Sequence, residues 1–338
     1  IGLLYSLLIR IVYKNIWLVC ERKNEARDNG YWFFKFLCCH KDGILPVYAI
    51  NPKSPDYPKV ASLGKTISYG TITHWAYYFA ANKNISSQKD GKPNAAICYV
   101  LEVYLGVRKN RAFIRHGIAK DYQRWACYDL TKINLITTTV NREYQYICDF
   151  FGYPKRNVAL TGLCRYDNLL SKHSEKNQIL IMPTARQWLK RYTSESLNYE
   201  KSMNFTDSDF FKAYNMLIND KNILSLLKKY NLTLVFYLHS EMQKYADSFE
   251  CSDNAHVIIA RATDYDVQTL LMESKALITD YSSVFFDFAY MKKPLIYYHF
   301  DYEKFREGQY QEGYFSYEND GFGPIVKTHD DLCNKITI

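Results

Sequence analysis

The 338-residue sequence lacks an apolar run long enough to cross a bilayer, which takes about 20 residues. Its most apolar segment, residues 1–9, stops at Arg10, and the uncharged stretch 66–82 carries His, Gly and several Ser and Thr. That stretch reads as a strand followed by a buried helix. No charged segment precedes an A-x-A site, so no signal peptide is visible. The chain does not begin with Met, which leaves room for a removed N-terminal segment. Glycine-rich loops of the G-x-G-x-x-G and G-x-x-x-x-G-K-[ST] types are missing, which argues against a simple dehydrogenase or a P-loop ATPase. H-E-x-x-H and G-x-S-x-G are missing too, and no carboxylate cluster calls for an obligatory metal. The nine cysteines form no C-x-x-C pair, so a zinc ribbon or redox motif has no support. They lie mostly in apolar runs and are expected to be reduced, buried thiols of a cytosolic protein. Internal repeats and low-complexity tracts are absent.

What is present is globular: 48% hydrophobic and 23% charged residues. The length gives about two domains on a prior of roughly 150 residues each. Aromatic residues reach 16%, with 31 Tyr, whose amphipathic rings suit wet clefts and interfaces. The net charge of +8 favours an anionic partner: nucleic acid, a phosphorylated substrate or a membrane surface.

Short apolar runs alternate with helical patterns along the whole chain. Strands are expected at 16–20 (IWLVC), 45–50, 111–115 (RAFIR), 134–139, 178–182 (QILIM), 232–238 (LTLVFYL), 256–260, 276–279 (ALIT) and 294–298. Helices are expected at 31–40, 142–151, 267–274 and 282–291, with one long or two shorter helices over 207–230. Strands without polar alternation, separated by helices, indicate parallel sheets covered on both faces. Two such series suggest twin Rossmann-like domains. The polar segment 170–177 marks the boundary, giving an N-terminal domain of 1–170 and a C-terminal domain of 171–338. Residues 1–13 are expected to form a core helix, with an interfacial helix as the alternative.

Ligands of open parallel sheets bind beyond the carboxyl ends of the strands. Four polar groups follow an apolar run directly. His116, before Gly117, can act as a general base; the plainer alternative is a loop histidine bonded to backbone. His239 stands in the matching place after LTLVFYL, and can equally cap the next helix. Asp280 with Ser282 and Ser283 precedes a helical segment, where caps and free N–H groups suit an anion. Arg186 follows QILIM, and Arg grips phosphate oxygens in bidentate fashion; a surface arginine is the alternative.

These motifs, in this order, resemble the CDP-glycerol glycerophosphotransferase family, which includes teichoic acid primases and polymerases and related capsule enzymes. Arg115-His116-Gly117-Ile118 with Lys120-Asp121 resembles its first His-Gly motif. Thr161-Gly162-Leu163-Cys164-Arg165-Tyr166-Asp167 resembles its G-x-x-R-x-D segment. Pro183-Thr184-Ala185-Arg186 resembles P-T-W-R with Ala185 in place of Trp, and Leu238-His239-Ser240 resembles its second His motif with Ser240 in place of Pro. Thr279-Asp280-Tyr281-Ser282-Ser283-Val284-Phe285-Phe286-Asp287 is similar to its DYSS-x-x-FD signature. Lys293-Pro294 and the tail from Gly313 to Pro324 also fit.

The resemblance implies an α/β fold of GT-B type, two facing Rossmann-like domains with a central cleft. It implies transfer of glycerol-phosphate or ribitol-phosphate from CDP-glycerol or CDP-ribitol to a hydroxyl of a lipid-linked, polyprenyl-diphosphate saccharide acceptor, with release of CMP, in teichoic acid or capsule synthesis. His116 would be the base, with His239 as its catalytic counterpart; His239, Arg186, Asp280, Ser282 and Ser283 would hold the donor pyrophosphate. Arg165 and Asp167 would be structural, near the domain junction. No cofactor or metal is implied. The expected place is the cytoplasmic face of the membrane, as a peripheral protein on its anionic surface. The rival enzyme is a GT-B glycosyltransferase with a nucleotide-sugar donor. A nucleic-acid-binding protein is a distant third: its support is the charge and the cluster 108–111, but Arg22, Lys228 and Lys292 are scattered rather than gathered in a stripe.

Overall fold

The computed structural model describes residues 1–40, 42–89, 91–107, 110–190 and 204–337. Arg108 and Lys109 of the short basic cluster lie outside them. The chain divides into two compact units, Ile1–Asn168 and Leu169–Ile338, each an α/β layer structure.

The first unit is built on seven strands: β1 (Ile16–Cys20), β2 (Leu45–Ile50), β3 (Lys65–Ser68), β4 (Lys83–Ser86), β5 (Arg111–Phe113), β6 (Leu135–Thr138) and β7 (Val158–Leu160). Their spatial order is β3-β2-β1-β4-β5-β6-β7. The second unit has six: β8 (Gln178–Met182), β9 (Thr233–Tyr237), β10 (Val257–Ala260), β11 (Ala276–Thr279), β12 (Leu295–Tyr298) and β13 (Ile325–Val326), in the order β10-β9-β8-β11-β12-β13. Every ladder among them is parallel. Parallel strands need crossovers, and crossovers cover both faces, so the strands can be apolar throughout. In β1, Ile16, Leu18, Val19 and Cys20 are all buried, on alternate faces. In the second unit Leu180 and Ile181 point into two separate cores, one on each side of the sheet.

In both sheets the direction of winding reverses at one place, between β1 and β4 and between β8 and β11. At such a switch point neighbouring connections leave in opposite directions and open a crevice at the strands' carboxyl ends.

The first helix, α1 (Gly2–Val12), corrects the expectation of a core helix. Ser6 and Ile9 are its buried residues. Gly2 lets it approach the helix Ile72–Ala80: a Cβ there would stand 2.8 Å from Trp75 Cβ. Arg10 ties the far end by donating from Nε to Ala80 O at 3.0 Å. The cysteines also depart in part from expectation. All nine are free, but Cys20, Cys98 and Cys127 are the buried ones, and Cys39 is exposed. Among the described residues no helix is long and apolar enough to cross a membrane.

His74, inside the helix Ile72–Ala80, has no exposed surface. Its Nδ1 accepts from Gly70 N–H at 3.0 Å, so the proton sits on Nε2, which has no partner. Burial lowers its pKa from 6.5 to about 3. Below the ordinary histidine pKa the unfolded chain takes up a proton that the folded one refuses. Stability therefore falls with acidification by about 1.4 kcal/mol per pH unit until the folded group titrates. Urea midpoints of the wild-type chain and His74→Met, compared from about pH 7 down to about pH 4, should differ in slope by one proton. Parallel pH profiles would reject this assignment.

Candidate functional site

The two switch points carry different chemistry, and each is described on its own. In the first unit, β1 runs into Glu21, and the chain then turns to Asp28, the N-cap of α2 (Asn29–Cys39). Glu21 is buried, and its carboxylate accepts from the backbone N–H of Arg27 at 3.0 Å, Asp28 at 3.2 Å and Tyr31 at 2.7 Å. Burial, then the neighbouring Asp28, push its pKa up to about 8 against these donors. Gly30 is required beside it, because a Cβ there would meet Glu21 Cγ at 2.7 Å.

This turn sets Asp28 and Asn29 where they can hold the His116 loop. Asn29 Nδ2 donates to Arg115 O at 2.7 Å and Ile114 O at 3.5 Å, while its Oδ1 accepts from Arg165 N–H at 3.0 Å. Arg165 Nη1 donates to His116 O and to Asp28 Oδ1, each at 3.0 Å. Burial raises the Asp28 pKa and the Arg165 charge opposes that shift. The carbonyls of Ile114, Arg115 and His116 are therefore gripped in succession. Between them Arg115 adopts φ +54°, a left-handed conformation that costs a non-glycine residue about 1–2 kcal/mol. The clamp offsets that cost. It leaves His116 exposed between buried Arg115 and Gly117.

The far side of the loop is held from beneath. Arg115 Nε donates to Gly117 O at 3.2 Å and lies 3.9 Å from Glu143. Glu143 accepts from Ala119 N–H at 2.6 Å and Thr139 N–H at 2.7 Å, and Lys120 pairs with Asp121 in the interior. The conspicuous charges of the R-H-G-I-A-K-D motif are thus spent on shaping the loop, and His116 is the group it presents.

In the second unit, Asp280 follows β11. Asp280 and Arg186, both expected to hold donor phosphate, are 0% exposed. Arg186 donates from Nε and Nη2 to the two carboxylate oxygens of Asp301, at 2.8 and 2.9 Å, and from Nη1 to Thr184 O at 2.6 Å. Its Nη2 also lies 2.8 Å from Asp280 Oδ2. Burial works against the guanidinium charge, and Asp280 and Asp301 more than offset this, so its pKa is raised. Asp280 Oδ1 accepts from Thr184 N–H at 2.8 Å, which ties the loop after β8 to the loop after β11 across the switch point. It does not cap the helix Val284–Tyr290.

Tyrosines complete this buried network. Tyr214 donates to Asp280 Oδ2 at 3.2 Å and Tyr281 to Asp301 Oδ1 at 3.0 Å. The Tyr281 ring stacks on Phe305 at 3.9 Å and lies 4.9 Å from the Arg186 guanidinium. Part of the tyrosine excess has its reason here: a phenol brings apolar area and the one donor a buried carboxylate needs. Tyr78, donating to buried Glu102 at 2.6 Å in the first unit, repeats the device.

With Asp280 and Arg186 turned inward, Ser282 and Ser283 are the half-buried groups this loop offers outward. Neither makes a strong cap: Ser282 Oγ stands 3.5 Å from Val284 N, and Ser283, the N-cap residue, makes no side-chain capping bond. His239 takes the capping alternative. Its Nδ1 accepts from Glu241 N–H at 3.3 Å at the start of the 3-10 helix Ser240–Ser248, and its side chain remains 38% exposed.

One group of the described residues has metal-ligand chemistry. His329 Nε2 lies 3.0 Å from Asp220 Oδ2 and 3.3 Å from Cys333 Sγ. Asp220 Oδ1 meanwhile caps the helix Lys221–Tyr230. His329 Nδ1 is buried without a partner, whereas a metal-bound histidine almost always has its second nitrogen hydrogen-bonded. The group fits a tie between two helices better than a metal site.

A family model described as CDP-glycerol:poly(glycerophosphate) glycerophosphotransferase matches residues 4–338. The chain belongs to this family. It is 34% identical over 330 residues to the minor teichoic acid biosynthesis protein GgaB of Bacillus subtilis (strain 168), covering 96% of this chain and 35% of that protein. It is 24% identical over 236 residues to the teichoic acid glycerol-phosphate transferase of Staphylococcus aureus (strain NCTC 8325 / PS 47), covering 65% of this chain and 53% of that one. The chain thus spans between about a third and a half of the length of these two relatives. Among solved structures, a variant of the wall teichoic acid polymerase TagF soaked with CDPG matches with a TM-score of 0.67 at 16% identity, over 100% of this chain and 84% of that one. UDP-GlcNAc 2-epimerase from Methanocaldococcus jannaschii matches with a TM-score of 0.53 at 10% identity, over 96% and 92% of the two chains. At these identities the likeness speaks to fold alone, which is of GT-B type.

Asp28 and Asn29, which the motif reading passed over, help hold the His116 loop, and Arg165 joins them there. Glu21 could have pointed to that turn, since it is a polar residue directly behind an apolar strand. Asp301 gave no such signal, because His299 and Phe300 separate it from β12.

Proposed function

We propose that the chain transfers glycerol-phosphate or ribitol-phosphate from its CDP-activated donor to a hydroxyl of a lipid-linked acceptor, releasing CMP. The carrying observation is the presentation of an exposed His116 by a strained, clamped loop, in a chain that matches the transferase family over residues 4–338. The acceptor oxygen attacks the β-phosphorus, the bond to CMP breaks and a phosphodiester forms. The hydroxyl proton passes to His116 and then to solvent. Such a transfer needs positioning and charge neutralisation more than covalent help.

Ser282 and Ser283 hold the donor phosphates and His239 stands as a further phosphate ligand. Arg186 and Asp280 act behind them, by fixing the loop on which the serines sit. The acceptor is carried by a membrane, where a polyprenyl anchor resides.

The test is incubation with CDP-glycerol and CDP-ribitol separately, with a polyprenyl-diphosphate-linked saccharide. Mass spectrometry of the product identifies the unit and the number added. Absence of CMP from both donors would reject the reading. Ser282→Ala should weaken donor binding roughly tenfold, the effect of losing one hydrogen bond to a charged group; unchanged affinity would remove the phosphate-holding role.

A further inference from the structure

We infer that Asp28 and Gln88 select the acceptor by one hydroxyl of a vicinal diol and leave the neighbouring hydroxyl to His116. Both residues lie in the loops that follow the adjacent strands β1 and β4, at the switch point of the first unit. The two oxygens of Asp28 have different tasks. Oδ1 is spent inside, accepting from Asn29 N–H at 2.7 Å and from Arg165 Nη1 at 3.0 Å. Oδ2 accepts from Gln88 Nε2 at 3.4 Å, longer than an ordinary N–H···O bond. The Asp28 side chain is 20% exposed. Ser87 is fully buried, and its Oγ completes no hydrogen bond of ordinary geometry. Burial raises the Asp28 pKa, and Ser87 is among the groups that oppose the shift, so its hydroxyl lies against this carboxyl. The loop that carries both residues is pinned. Ser86 Oγ accepts from Gln88 N–H at 2.9 Å and donates to Gln88 O at 2.6 Å. Gly91 closes the loop, where a Cβ would stand 2.8 Å from Cys20 O.

The surroundings select a neutral hydroxyl. Arg165 on the same carboxyl, and Lys89 next to Gln88, oppose a metal cation or an ammonium group. The Gln88 amide nitrogen donates, so a partner between it and Asp28 must accept as well as donate. A hydroxyl does both, and an ammonium group does not. Lys89 is exposed and stands 5.4 Å over the half-buried Trp125 ring. That pair adds an apolar wall and a positive charge, which suit the C–H face and the phosphate of a phosphorylated polyol or sugar. Arg165 also donates to His116 O at 3.0 Å. One guanidinium thus ties the diol site to the loop that bears the base, and a hydroxyl held at Asp28 sets the adjacent one towards that loop.

The diol site rests on the proposed function for the transfer it serves, and the two fail separately. The probes are an alkyl-diphosphate disaccharide and an alkyl glycerophosphate, each intact and lacking the hydroxyl next to the one extended. With CDP-glycerol or CDP-ribitol, the wild-type chain should prefer the intact form of one pair by roughly 10–100-fold in kcat/KM, the effect of one hydrogen bond to a charged group. The pair that shows the preference tells a saccharide end from a glycerol end. Asp28→Asn keeps an oxygen for Arg165 and Asn29 and turns the outward atom into a donor. It should raise the acceptor KM by a similar factor and erase the preference, with CDP-glycerol affinity and hydrogen exchange in residues 114–119 unchanged. Gln88→Met should do the same more weakly. Equal use of intact and deoxy acceptors by the wild-type chain overturns the inference and leaves the transfer standing. So does an Asp28→Asn chain that keeps the preference. So does one that loses kcat equally on every acceptor while exchange quickens, which would make Asp28 a scaffold alone. If neither donor extends any acceptor, binding of the intact and deoxy probes is titrated directly. A binding preference that Asp28→Asn abolishes keeps the diol site and loses the proposed function; no preference loses both.

Discussion

Replacing His116 by alanine is expected to lower turnover roughly 10²–10⁴-fold while donor affinity stays near that of the wild-type chain. The size follows from the loss of a positioned base, and the selectivity follows from the loop. The carbonyls of residues 114–116 are held by Asn29 and Arg165 and not by the imidazole, so removing the ring leaves the backbone in place. Asn29→Ala should show the reverse pattern. It leaves the imidazole intact but frees the strained Arg115 turn, so turnover should fall less than in His116→Ala, and hydrogen exchange in residues 114–119 should quicken. Stopped-flow turnover and exchange measured on both variants separate base from scaffold. Near-wild-type turnover of His116→Ala would end the assignment.

The second large effect is on stability. Arg186→Met should destabilise the second unit by about 3–5 kcal/mol, the cost of stranding a buried ionic partner. The stranded groups are Asp280 and Asp301, both within 2.9 Å of the guanidinium. Lysine cannot substitute, because the bidentate grip on Asp301 needs a planar fork. Urea unfolding of the variant should show a second-unit transition well below that of the wild type, with the first unit unmoved. The motif reading, in which Arg186 grips donor phosphate, leads elsewhere: reduced donor affinity at unchanged stability. A variant that unfolds like the wild type would therefore restore the direct role.

Sequence reasoning reached the fold through its inner strands. IWLVC, QILIM and ALIT are apolar because both faces are covered, and their bounds agree with β1, β8 and β11. It passed over β4, β7 and β13. Lys83-Asn84-Ile85-Ser86 is read as polar from its letters, yet it sits next to β1 with Asn84 and Ser86 buried. Asn84 is tolerated there because its Nδ2 donates to Tyr78 O at 3.3 Å; a hydrophobicity pattern does not contain such a bond. The site was legible by the same measure. Strand-end position singles out His116, His239, Arg186 and Asp280, but position does not tell which of them face inward. That depends on Asp301, 115 residues beyond Arg186, and no local spacing reports a partner at that distance.

The strand orders also bear on how the chain comes into being. In β3-β2-β1-β4-β5-β6-β7 and β10-β9-β8-β11-β12-β13, each strand, taken as it is synthesised, joins an edge that already exists. None has to be inserted between two others. A nascent chain that has released β1 and β2 from the ribosome can begin the sheet and extend it on one side, then on the other, as residues arrive at about 5–20 per second. The first unit can therefore be complete before β8 is made, and the strand edges that invite aggregation are covered in the order in which they appear.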